Sequence, residues 1–100
     1  MPDTQVPEIV LAAAGWKTPD DFYAAFLGAV GAPPWHGRNL DALWDSISAG
    51  DINRINPPYR IRITGISDMA EECKHLLDRF TALIRQAKDE GSSIEIALES

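Results

Sequence analysis

Residues 59–98 constrain the fold most. Tyr59-Arg60-Ile61-Arg62-Ile63-Thr64 alternates apolar and polar side chains, as does Ile94-Glu95-Ile96-Ala97-Leu98, so each reads as a strand with one buried face. Between them Met69, Cys73, Leu76, Leu77, Phe80, Leu83, Ile84 and Ala87 recur at helical spacing and form a single apolar stripe. Ser67 or Asp68 is expected to cap this helix. Glu71 and Glu72 load its first turns and Arg85 and Lys88 its last, each sign matching the helix dipole, and Gly91 ends it. Two strands joined through one long helix pair in parallel, because the crossover returns the chain in its original direction.

The first half of the chain adds a strand and two shorter helices. Ile9-Val10-Leu11-Ala12, bounded by Pro7 and Gly15, predicts another strand. Thr18-Pro19-Asp20-Asp21 is a helix start: a capping hydroxyl, proline at the first helical position, then carboxylates. That helix carries Phe22, Phe26, Ala29 and Val30 on its apolar side and stops at Gly31-Ala32-Pro33-Pro34. A second helix is expected from Arg38 or Asn39 to a point between Ser48 and Gly50. The resulting fold class is α/β, a small three-stranded parallel sheet in one domain spanning residues 1–100. Because two strands alternate rather than run continuously apolar, the helices should pack mainly on one face.

Composition removes several function classes. A formal net charge of −6 leaves nothing to neutralise phosphates, so direct nucleic-acid binding is not expected, whereas basic proteins are attracted. Cys73 is the single cysteine and falls on the apolar stripe, which reads as a core position. The two histidines, His36 and His75, have no metal-ligand spacing with any partner. No phosphate-binding glycine loop or serine elbow occurs, so neither enzymatic activity nor a metal or cofactor is expected. No apolar run approaches the length of a membrane span, and the N-terminus lacks a basic, then apolar, leader. A cytoplasmic protein, monomeric when free, is the expectation.

The stretch PPWHGRNLDALWDSIS, residues 33–48, carries the functional signal. At about 100° per residue, Leu40, Leu43 and Ile47 fall together and should face the sheet, while Asp41, Asp45 and Ser48 lie on the flank with Trp44 between the sets. Two carboxylates one turn apart repel mildly. They either share an ordinary solvated face or imitate two phosphates for a partner's arginines and lysines. Trp35 and His36 precede them in a loop stiffened by Pro33 and Pro34, and an aromatic held this way costs little entropy as a binding anchor.

Seven consecutive residues, Asn39-Leu40-Asp41-Ala42-Leu43-Trp44-Asp45, preceded by Trp35-His36-Gly37-Arg38, resemble the signature of barstar-family ribonuclease inhibitors. The C-terminal AKDEGSSIEIAL resembles that family's last helix and final strand. The resemblance implies a protein that plugs the active site of a small, basic, secreted, barnase-like ribonuclease. By that analogy Asp45 occupies the enzyme's phosphate site and Asp41 pairs with basic groups at its rim. Trp35 stands for a family tyrosine that packs on the catalytic histidine, and Gly37, Asn39, Leu40 and Trp44 supply close approach and packing. Gln86 occupies the position of a family carboxylate and Arg38 that of an acid, while Ala49-Gly50-Asp51 follows where a glycine and a second aromatic contact are expected. An immunity protein of the same fold against another nuclease toxin, or a non-inhibitory interaction scaffold, remains the alternative.

Overall fold

The computed structural model describes residues 6–49 and 52–100. The expectations at Gly50 and Asp51 therefore lie outside the described residues. The elements run β1 (Glu8–Ala12), α1 (Pro19–Val30), α2 (Leu40–Ala49), β2 (Tyr59–Thr64), a 3₁₀ turn (Ile66–Asp68), α3 (Glu71–Asp89) and β3 (Ile94–Leu98). The sheet has the order β1-β2-β3, and both pairings are parallel. Ile9 lies beside Ile61, which lies beside Ile96, so side chains of like character share a face across the sheet.

One sheet face is covered and the other is open, as the alternation predicts. Ile9, Leu11, Tyr59, Ile61, Ile63 and Ile94 are buried, whereas Glu8, Val10, Arg60, Arg62, Glu95 and Ala97 are exposed. An aromatic cluster fills the space between helices and sheet. Phe80 of α3 sits 4.9 Å from Phe22 and 5.4 Å from Phe26, both on α1, measured between ring centroids. Such tilted and edge-on rings gain from their quadrupoles beyond the area they bury. Among the described residues no helix is long and apolar enough to cross a membrane.

Asp21 organises the start of α1: its carboxylate accepts the Lys17 N–H at 2.8 Å and the Thr18 N–H at 3.1 Å. These two hydrogen bonds hold its carboxyl below the usual carboxylate range. Two expectations about helices are corrected. Ala29 is exposed, and Tyr23 and Leu27 take its place on the buried side of α1. The stripe 22–26–30 is widened by its neighbours at 23 and 27, so the centre of burial points away from residue 29. Neither Ser67 nor Asp68 caps α3, which begins at Glu71 behind Ala70. Gly65, with φ of +70°, turns the chain into the 3₁₀ segment, and Met69 then runs extended with its side chain in the core. Anchoring Met69 uses the residues that the capping signal assigned to the helix.

Tyr59 carries an unmet polar group. It is 1% exposed and its hydroxyl has no hydrogen-bond partner among the described residues, and burial pushes the phenol well above its ordinary pKa. Tyr59→Phe removes the orphan hydroxyl and keeps the ring. It is expected to leave stability unchanged or raise it by about 1 kcal/mol. A urea midpoint that falls markedly would show that the hydroxyl is satisfied in solution.

Candidate protein-docking surface

The surface is assembled from the end of α1, the loop that follows, α2 and the outer side of α3. The segment after α2 braces α1: the Arg54 N–H donates to the Gly31 carbonyl at 3.2 Å and the Ile55 N–H to the Val30 carbonyl at 2.9 Å. Gly31 has φ of +67°, and a Cβ there would lie 2.7 Å from the Arg54 side chain, so only glycine fits this bend. The loop then makes a tight turn, with the His36 N–H on the Pro33 carbonyl at 3.0 Å.

The turn sends its two aromatics in opposite directions. Trp35 is 73% exposed, whereas His36 is 8% exposed. His36 Nδ1 lies 2.7 Å from the Gly37 carbonyl, a contact in which only the ring nitrogen can donate. Its Nε2 is buried without a hydrogen-bond partner among the described residues. Burial of His36 was not signalled by sequence, because Trp35-His36 reads as one aromatic pair.

Asn39 caps α2 with its side chain, its Oδ1 accepting the Ala42 N–H at 2.7 Å. Gly37 makes room for this cap, since a Cβ there would stand 3.0 Å from Asn39 Nδ2 and 3.2 Å from Ala42 Cβ. Asn39→Ala deletes the acceptor of the Ala42 N–H at the helix start and is expected to cost about 1 kcal/mol in thermal or urea unfolding. An unchanged midpoint would mean that water replaces the cap.

Along α2, Leu43, Ser46 and Ile47 are buried, and Leu40, Ala42 and Trp44 are half-buried. Leu40 packs against the core from the edge of the buried stripe, next to Asp41. Ser46, a polar residue on the buried side, is accommodated by donating its hydroxyl to the Leu43 carbonyl at 3.2 Å. Asp41 and Asp45 are exposed, and among the described residues neither joins an ion pair or a side-chain hydrogen bond. Arg38, by contrast, is paired at the surface with α1, its Nη1 2.6 Å from Asp20 Oδ1.

Two hollows adjoin α2. A hollow of about 310 Å³ brings Leu40, Asp41 and Trp44 together with Arg79, Ala82, Leu83 and Gln86 of α3. A second, of about 220 Å³, is lined by Tyr23, Arg38, Asn39, Leu40, Asp41 and Arg79. Gln86 thus reaches the same depression as Asp41 and Trp44, and its Nε2 donates to Glu90 Oε2 at 3.3 Å. Asp45, Trp35 and Gly37 line neither hollow. Arg79 and Tyr23 are the residues that sequence reasoning missed. Arg79, Ala82 and Gln86 follow a helical spacing on the polar side of α3, a signal that becomes informative only once α2 is known to pack there.

The fold and this face define a small α/β domain bearing an acidic, aromatic-edged helix, with no group of three potential metal ligands among the described residues. A family model described as Barstar (barnase inhibitor) matches residues 6–99, and the chain belongs to that family. It is therefore a barnase-inhibitor-like protein. No curated protein matches the chain.

Proposed function

We propose that this chain inhibits a small basic ribonuclease of the barnase kind by covering its active site with α2 and the preceding loop. The observation that carries the reading is the pair Asp41 and Asp45, exposed and without a cation of their own among the described residues. Carboxylates left free by their own fold can be given whole to a partner's guanidinium and ammonium groups, where charge-assisted hydrogen bonds are strongest. Asp45 takes the enzyme's phosphate site, and Asp41 meets basic groups nearer the rim. Trp35 packs its exposed indole on the catalytic histidine. Gly37, Asn39, Leu40 and Trp44 form the close-fitting surround, with Gln86 as a neutral contact from α3. The net charge of −6 draws a basic enzyme in and accelerates encounter.

The chain acts as a monomer in the cytoplasm on this reading, and its chemistry is steric and electrostatic rather than catalytic. The second reading, immunity against a different nuclease toxin, is favoured by Gln86 and Arg38, which stand where the family resemblance leads one to expect acids. The deciding measurement is RNA cleavage by barnase with increasing amounts of this protein, at low and at high salt. Stoichiometric inhibition that weakens with salt is expected. Full RNA cleavage at every ratio would remove barnase-like enzymes as the target, and RNA cleavage by this chain alone would remove the inhibitor reading altogether.

A further inference from the structure

The smaller hollow beside α2 has a chemistry of its own. Its lining residues include Arg38, Arg79, Tyr23 and Asn39, all of which carry hydrogen-bond donors, with Leu40 and Asp41 completing it. Asn39 uses Oδ1 for the helix cap, so its amide nitrogen is the group left for a ligand. Arg38 gives Nη1 to Asp20 and retains further N–H donors. Arg79 is exposed and forms no ion pair among the described residues. Burial pushes the Tyr23 phenol up, partly offset by the Arg79 charge, so its hydroxyl stays a donor at neutral pH. Two cationic and two neutral donor-bearing residues therefore line a space whose one acidic lining residue is Asp41, with Asp20 paired to Arg38 beside it.

A uniformly basic enzyme rim is a poor match for this corner. Arg38 and Arg79 would meet its lysines and arginines at close range, well inside the roughly 8 Å over which charges act at physiological salt. Like charges across an interface slow encounter and exclude wrong partners. The complement of the whole face is a protein with two signs: cationic opposite Asp41 and Asp45, anionic opposite Arg38 and Arg79.

We propose that the hollow lined by Tyr23, Arg38, Asn39 and Arg79 receives a carboxylate of the partner protein, so that the cognate enzyme carries an acidic residue at the rim of its basic groove. This rests on the inhibitor reading and adds a requirement to it. The pair Asp41 and Asp45 recognises basic ribonucleases in general, and the arginine corner selects among them.

The test uses barnase as probe and follows association rate and affinity. Arg79→Glu and Arg38→Glu, made separately, are each expected to speed association with barnase about threefold or more at low salt, with the gain shrinking at high salt. Arg38→Glu also breaks the link to Asp20, so Arg79→Glu is the cleaner arm. In the reverse arm, basic rim residues of barnase are changed one at a time to glutamate. One such change is expected to tighten binding to the unaltered protein about tenfold, a gain abolished by Arg79→Glu. Equal binding of barnase by the unaltered protein and both arginine variants, with no gain from any rim glutamate, overturns the proposal and leaves the inhibitor reading standing. Absence of binding by every variant overturns both.

Discussion

Asp45→Ala is expected to weaken inhibition of a barnase-like ribonuclease by about 2–5 kcal/mol, roughly 30-fold to 5,000-fold in Kd, a range to which complexes of this family themselves contribute. The size follows from what is left behind. Inside the enzyme's groove the lost carboxylate would strand desolvated cations, and an unpaired buried charge costs more than the pair contributed. The fold should not suffer. Asp45 is exposed on α2, one turn beyond Asp41, and neither has a cation partner among the described residues. Removing one of two like charges relieves a few tenths of a kcal/mol of repulsion within the helix. The urea midpoint of the variant should therefore match or slightly exceed that of the unaltered chain. A large loss of binding at constant stability is the result that assigns Asp45 its role, and unchanged inhibition would strip it of that role.

Phe80→Ala is expected to cost about 3–5 kcal/mol of folding stability. Phe80 is fully buried on α3, and its ring meets Phe22 and Phe26 of α1 at 4.9 and 5.4 Å. Alanine would leave a void where α1, α3 and the sheet converge, and a close-packed interior relaxes only partly into such a space. Against a total of about 5–15 kcal/mol for a domain of this kind, the loss takes a large part of the margin. Equilibrium urea unfolding gives the value directly. A change below about 1 kcal/mol would mean that the cluster repacks and that α3 is positioned by other contacts.

The elements that sequence located best are those whose period is short and uninterrupted. β2 and β3 occupy the segments that alternate, Tyr59–Thr64 and Ile94–Leu98, because a period of two admits no other half-buried arrangement. The exposure of Asp41 and Asp45 and the half-burial of Trp44 were likewise written in the helical spacing of α2. Where tertiary packing overrides a local signal, sequence misled. The capping residues Ser67 and Asp68 were diverted into a 3₁₀ turn by the burial of Met69, and Ala29 was displaced by the sideways widening of the α1 stripe. Strand order could not be read, since either neighbour of β2 satisfies the same pattern. Arg79 and Tyr23 were invisible for a different reason. Each belongs to its own helix, and only the packing of α1 and α3 around the start of α2 places them beside Asp41.

The crossover between β1 and β2 holds the loop and α2, and the crossover between β2 and β3 holds α3 with Gln86 and Arg79. Neither excursion alone makes the face proposed to dock the enzyme. A synthetic peptide copying the ten residues of α2 would be too short to stay helical in water, and it would lack the wall opposite. The proposed docking face thus arrives only with the finished chain, and half-made or clipped molecules would lack it.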